Sequence, residues 1–452
     1  METKTLAEYI VGLSYTDLDD RTIEMTKLSV LDWLGVGMRG AYESPSLIAS
    51  EVLKSQAPDG NATVLGKTSW KTSALFASLL NGISSHSLDM DDVHNSSQSH
   101  LGVAVIPAAL AVAESIKNVS GKDFITAVVA GYEVMGRVGR SVMPEAYYYW
   151  HTTGTAGTFG AAAAAGKLMG LDVGQMVFCL GSAGTQAAGL FEFLKDGTNS
   201  KTLHAGKAAF NGVLAAQLSQ KGFSAAYAIL EGEKGFLNAM TKNPKPYLLI
   251  ENLGEDIMMK ENSFKPYACC RWCHSAINAV LDIRAAYALK LEKIHSIKIR
   301  TIDTGLDITD NINPQTVYGC KFSIQYCVAT ALKYGHVGVD DFTEKCMYDP
   351  DIRHLMTLCR TEGFDMKVCL AKGELPFTII TIRMEDGSEF TQQYVYPLGD
   401  PQQPMSFFDM EEKFRGLTES VCSVSQVEGA LNFVQHLPFL ENLTDCMAFY
   451  IK

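Results

Sequence analysis

The chain is short of positive charge: 38 Lys and Arg stand against 50 Asp and Glu, a formal net charge of −12 over 452 residues. Nucleic acid is therefore an unfavourable partner, because phosphate backbones are held by surplus cations. The same field repels small acidic molecules at long range, so an anion site requires a local cluster of Lys, Arg and His. Uninterrupted apolar runs of the ~18–20 residues that span a bilayer are missing, which excludes a membrane partner of that kind. Residues 1–8 lack the apolar core of a secretory signal. Charged residues amount to only 19% and hydrophobic residues to 47%, which excludes an extended, disordered chain and favours sizeable cores. The 11 cysteines are odd in number and irregularly spaced, so they are expected as reduced thiols in the cytoplasm. Internal repeats, low-complexity tracts and long charge runs are missing too.

What is present is helical periodicity with an interruption. From Thr22 to about Phe236 the pattern is helical and rich in small residues, as in 160–170 and 208–216. Ala favours helix, and small side chains let helices approach closely. Gly154, Gly157 and Gly160 follow no strand and lack dinucleotide-binding spacing, so they are read as packing glycines. Composition changes near 243–246. A helix is predicted over about 269–289, a strand over 297–302, and a hairpin from 377–384 and 389–396 around Asp386-Gly387. Beyond 397–401 the helical pattern returns, with Ser406 and Asp409 spaced as a capping pair and a helix near Val424–His436 expected to pack on the first domain. The predicted fold is mostly α: a large all-helical domain from 1–255 and 397–452, with a smaller α+β domain inserted at 256–396.

Chemistry-bearing residues gather in five segments. Residues 86–100 hold the carboxylates Asp89, Asp91 and Asp92 and the imidazoles His86, His94 and His100, between apolar stretches. Desolvation and mutual coupling bring such groups into acid–base range. If the stretch is helical, His86, Asp89 and Asp92 share a face; a solvated helix end and a divalent-metal site are rival readings. His151 follows four aromatics, Tyr147 to Trp150, a setting that desolvates it and favours its neutral form, although a satisfied core histidine is the plainer alternative. Lys201, His204 and Lys207 lie where a polar loop feeds a helix, which suits a carboxylate or phosphate unless the lysines are ordinary surface groups. Lys265 precedes Cys269, Cys270, Cys273 and His274; one Cys-x2-Cys spacing without a second pair argues against zinc, and Lys265 with His274 suits an anion better. Tyr326, in 321–326, is a candidate proton donor, though a tyrosine there is more often a core residue.

Taken in this order, the segments resemble the MmgE/PrpD family of 2-methylcitrate dehydratases, cis-aconitate decarboxylases and iminodisuccinate epimerases. The residues that carry the resemblance are Asn81-Gly-Ile-Ser-Ser-His86-Ser-Leu-Asp89-Met-Asp-Asp92, His100-Leu-Gly, His151-Thr-Thr-Gly-Thr, Lys201-Thr-Leu-His204-Ala-Gly-Lys207, Lys265-Pro-Tyr and Lys321-Phe-Ser. It covers nearly the whole chain and implies an all-helical domain with an inserted α+β lid, a homodimer, no required cofactor or metal, and an active site between the domains. The residues matching that site are Asp89, His100, His151, Lys201, Lys265 and Tyr326. Val93 and Thr152-Thr153 stand where animal cis-aconitate decarboxylases have Thr and prolines, and the first cluster does not follow the 2-methylcitrate dehydratases, so the substrate stays open. The activity implied is a lyase, decarboxylase or dehydratase, on a small di- or tricarboxylate such as cis-aconitate or methylcitrate. Its intermediate is a carbanion next to, or conjugated with, a carboxylate. An epimerase or isomerase of a small dicarboxylate is the alternative, and a non-catalytic polycarboxylate binder a third. In this reading Lys201 and Lys265 clamp carboxylates with His204 and Lys207 assisting. His100 and His151 transfer protons, Asp89 orients one of them, and Tyr326 relays a proton.

Overall fold

Small side chains set the packing of the helices. The computed structural model describes residues 1–66, 69–371, 375–444 and 446–451. It divides into two units: Met1–Ser87, Asp91–Ser263 and Ser406–Lys452 form the first, Leu88–Met90 and Phe264–Met405 the second. Among the described residues, no helix is long and apolar enough to cross a membrane.

The helices of the first unit include α1 (Glu2–Gly12), α2 (Asp20–Gly40), α3 (Ser44–Lys54), α4 (Ala74–Ser85), α5 (Gly102–Ser115), α6 (Gly121–Val142), α7 (Thr152–Leu168), α8 (Val173–Gly184) and α9 (Ser200–Gln220). α6 starts from a capping box in which Asp123 N donates to Ser120 Oγ at 3.2 Å and Ser120 N donates to Asp123 Oδ2 at 3.0 Å. Every residue of α7 from Thr152 to Gly166 is buried, so this Ala- and Gly-rich helix shows no amphipathic stripe. It packs against α6 and α9. A Cβ on Gly160 would lie 2.8 Å from Gly131 O and 2.7 Å from Met135 Cβ, and one on Gly212 would lie 2.4 Å from Ala161 Cβ. These glycines are packing residues, as the spacing predicts. Helices Phe407–Thr418 and Val424–His436 return to this unit, the former capped by Ser406, whose N–H donates to Asp409 Oδ2 at 2.7 Å.

The second unit contains α10 (His274–Ala286), β1 (Ile294–Ile302), α11 (Ile324–Tyr334), β2 (Cys359–Phe364), β3 (Thr378–Met384) and β4 (Glu389–Tyr394). Its sheet runs β2-β1-β3-β4, with β2 parallel to β1 and the other pairs antiparallel. Ile297, Ile299, Ile380 and Ile382 are buried, an alternation of period two on facing strands. The β3–β4 turn has Gly387 at φ +88 and Ser388 N donating to Asp386 Oδ1 at 2.9 Å, the hairpin that Asp-Gly predicts. The helix predicted over 269–289 is shorter at both ends: a 3-10 turn, Arg271–Cys273, precedes α10, and Tyr287 is extended.

Candidate active site

The histidine-rich stretch is a loop and not a helix. α4 stops at Ser85, and Asp89 (φ 57) and Gln98 (φ 46) take left-handed backbone conformations that a helix excludes. The three-residue steps therefore fail to align His86, Asp89 and Asp92. The loop sends its three carboxylates to three different partners.

Asp91 takes the histidines. Its Oδ2 lies 2.9 Å from Nδ1 of His86 and 2.8 Å from Nδ1 of His100, all three side chains being buried or nearly so. An ionised carboxylate only accepts, so each imidazole carries hydrogen on Nδ1 and, when neutral, keeps a lone pair on Nε2. His100 Nδ1 also lies 2.8 Å from the Asp92 carbonyl, and its backbone N–H donates to Thr153 Oγ1 at 3.1 Å. Burial would raise Asp91, but the two imidazoles prevail and hold its carboxyl well below the usual range. Burial presses His86 down to about 4, against the pull of Asp91. His86, Asp91 and His100 have ligand atoms within 4.8 Å of one another, so they could hold a metal ion. Both Nδ1 atoms already face Asp91, and an ion would have to replace those bonds.

Asp92 turns away from the histidines. Its carboxylate accepts from Gly102 N at 2.9 Å, Tyr132 Oη at 2.7 Å and Asn262 Nδ2 at 2.8 Å. A Cβ at position 102 would sit 2.8 Å from Tyr132 Oη and 2.9 Å from Asp92 Oδ1, which requires glycine there. Burial, then Asp32, push Asp92 up to about 7.

His151, at the start of α7, stacks on His86 with ring centres 5.6 Å apart and planes 12° apart. Its Nδ1 is 3.2 Å from Nδ1 of His204 on α9, so one ring donates and the other accepts. Its backbone N–H donates to Gly189 O at 2.9 Å. Desolvation of this imidazole does come from aromatics, but from different ones: Phe191 and Phe193 stand 5.5 and 5.6 Å away, whereas Tyr148 and Tyr149 are exposed. Burial first, then His86, Lys201, His204 and His100, hold His151 well below the ordinary imidazole range. His204 is lowered to about 4 by burial, His86 and Lys201. Lys201 itself, in the first turn of α9, is only 6% exposed. Lys207 is exposed, over the ring of Phe210 at 4.8 Å. With His204, Ser200, Phe193 and Asn211 it lines a cavity of about 420 Å³.

The remaining predicted residues lie in the second unit. Lys265 Nζ donates to both the carbonyl and Oδ1 of Asp89, each at 3.0 Å, so Asp89 pairs with a lysine. Lys321 Nζ donates to Leu88 O at 2.6 Å. Tyr326 is a fully buried core residue of α11 whose hydroxyl donates to Asp341 O at 2.7 Å, and burial raises its pKa. His274 faces Cys269 O and Arg271, each at 3.3 Å. His86, Asp91 and Lys321 stand in segments that the sequence singles out without giving them a role of their own; the resemblance points to Asp89 and not to Asp91.

Two family descriptions match this chain: MmgE/PrpD N-terminal domain over residues 4–248 and MmgE/PrpD C-terminal domain over 267–438. Along its length the chain is similar to cis-aconitate decarboxylase of Homo sapiens, 28% identical over 457 residues, covering 98% of this chain and 92% of the relative. It is 27% identical over 473 residues to cis-aconitate decarboxylase of Aspergillus terreus, covering 98% and 94%. It is 26% identical over 473 residues to cis-aconitate decarboxylase-like protein oryM of Aspergillus oryzae, covering 99% and 96%. The C-terminal match extends past 405 into helices Phe407–Thr418 and Val424–His436, which pack in the first unit.

Proposed function

From the premise that this chain belongs to the MmgE/PrpD family, we propose that it is a cofactor-independent lyase acting on a small di- or tricarboxylate. Relatives named cis-aconitate decarboxylases support decarboxylation as the first chemistry to test. The observation that carries the reading is a buried lysine, Lys201, whose charge acts on three imidazoles, His86, His151 and His204, all held below their ordinary pKa. Burial first, and the charge of Lys201 after it, keep these imidazoles neutral, and a bound polyanion would favour their protonated forms. Two buried atoms of the cluster, His86 Nε2 and Asp91 Oδ1, have no hydrogen-bond partner among the described residues, which suits a polar guest.

Decarboxylation breaks a carbon–carbon bond, releases CO2 and leaves a carbanion conjugated with a remaining carboxylate. Dehydration reaches a similar carbanion by proton removal. Either path adds charge to a carboxylate already charged, and preorganised cations in a water-poor site stabilise it. Lys201 holds that carboxylate. His204 and Lys207, which line a cavity beside it, assist. His151 or His100 delivers the proton to the carbanion carbon, and Asp91 fixes the tautomer of His100. His151 is proton-poor in the free protein, so substrate charge recruits its proton. A homodimeric, cytoplasmic enzyme belongs to the same proposal.

The test is incubation with cis-aconitate, methylcitrate, citrate and iminodisuccinate while CO2, alkene absorbance and optical rotation are followed. Gas release, or new alkene without gas, supports a decarboxylase or dehydratase respectively. Changed rotation alone indicates an epimerase and overturns the lyase reading. His151→Ala is expected to lower turnover by at least ~100-fold, the worth of one acid–base group; near-normal turnover would remove His151 from that role.

A further inference from the structure

We propose that Cys269, Cys273 and Cys327 in the inserted unit form a binding site for a thiophilic d10 metal ion, Zn²⁺ or Cu⁺. Sequence spacing draws attention to Cys270 and Cys273, which have no second pair. The fold selects differently: it brings Cys269, just before the 3-10 turn that precedes α10, and Cys273, the last residue of that turn, against Cys327 on α11. The three Sγ atoms lie within 4.8 Å of one another, and all three residues are fully buried. Zinc–sulfur bonds of about 2.3 Å at tetrahedral angles put thiolates about 3.8 Å apart, so closing the cluster on an ion takes movements of ~1 Å.

The donor set decides the class of ion. Three thiolates and no carboxylate select soft metals over magnesium or calcium. Three sulfurs alone suit Cu⁺. His274 would supply a fourth ligand for zinc only after turning toward the cluster: its ring nitrogens are not among the atoms within 4.8 Å of one another, its Nε2 lying 3.3 Å from the Cys269 carbonyl, though its side chain interacts with that of Cys269. Arg271 is close enough to Cys269 for its charge to act on the thiolate, which would offset the excess negative charge of three sulfurs. A ligated ion would brace the turn that follows Lys265 against α11. The role is structural and separate from the proposed chemistry at the histidines.

The experiment uses the full-length protein, prepared under reducing conditions without a metal-binding tag. Metal content is measured by mass spectrometry, and Zn²⁺ and Cu⁺ are titrated separately against a chromophoric competitor. About one ion per chain is expected, with binding weakened at least ~10-fold in Cys327→Ala and in Cys273→Ser. The titration that yields tight binding identifies the ion. Should those variants fail to fold, Co²⁺ added to the unaltered chain decides: sulfur-to-cobalt charge-transfer absorption supports the site, and its lack overturns it. Absence of tight binding would leave three core thiols and end the proposal. So would an ion kept in both cysteine variants but lost in His100→Ala, which would place it at His86, Asp91 and His100.

Discussion

One oxygen of Asp91 faces two imidazoles, so a change at this residue reaches both at once. In Asp91→Asn the amide must present either its oxygen or its NH2, and at least one histidine loses the bond that fixes its tautomer. A carboxylate-to-amide change beside a working imidazole costs up to ~10⁴ in kcat. We expect at least ~100-fold here, with KM less affected; a variant retaining more than about a tenth of wild-type kcat would show that Asp91 does not set these rings. Protonation gives a second test. Burial first holds His86 and His204 near 4 and His151 well below the ordinary imidazole range, so all three are neutral in the free protein near neutrality. A bound polyanion raises each of them, so binding takes up protons. Affinity for propane-1,3-disulfonate, whose own charge does not titrate, should rise as pH falls from about 7 toward about 4. Below the free-protein values it should level off, because the protons are then bound beforehand. Calorimetry in buffers of different ionisation heat measures the uptake; proton release would remove these imidazoles from the anion site.

At the scale of elements, α7 rests on contacts that leave no room for a methyl group. Gly160→Ala would press a Cβ onto Gly131 O and Met135. Overpacking of this kind costs about 1–3 kcal/mol, which denaturant unfolding would register as a lower midpoint with an unchanged slope. Such helices were legible in the sequence because composition and period agree: small residues for close approach, capping pairs such as Ser406 and Asp409, Asp-Gly for the hairpin. β2 escaped notice, since Cys359–Phe364 carries Arg360, Thr361 and Glu362 on an edge strand and shows no clean alternation. The site was legible as a set of segments but not as a set of bonds. Periodicity says nothing about a loop, and the left-handed Asp89 reassigns the carboxylates among their partners. The bond of Tyr326 was likewise out of reach of the sequence: a buried hydroxyl needs an acceptor, and the main chain of Asp341 supplies it.

For the whole molecule the governing quantity is the net charge of −12, which repels a tricarboxylate on approach to the proposed site. Salt screens exposed charges over a length of about 10 Å at 0.1 M, whereas buried Lys201 acts at shorter range. Raising ionic strength from about 0.01 to about 0.1 M should therefore increase kcat/KM for such a substrate, by roughly 2-fold or more; a decrease would mean that local attraction governs encounter. Finally, Leu88–Met90 leaves the histidine loop and packs with the inserted unit, where Lys265 and Lys321 grip it through Asp89 and the Leu88 carbonyl. The insert is thus not a cassette bounded by two cut points. A chimera that imports residues 264–405 from a homologue must import its counterpart of 88–90 as well, or two buried ammonium groups arrive with mismatched acceptors.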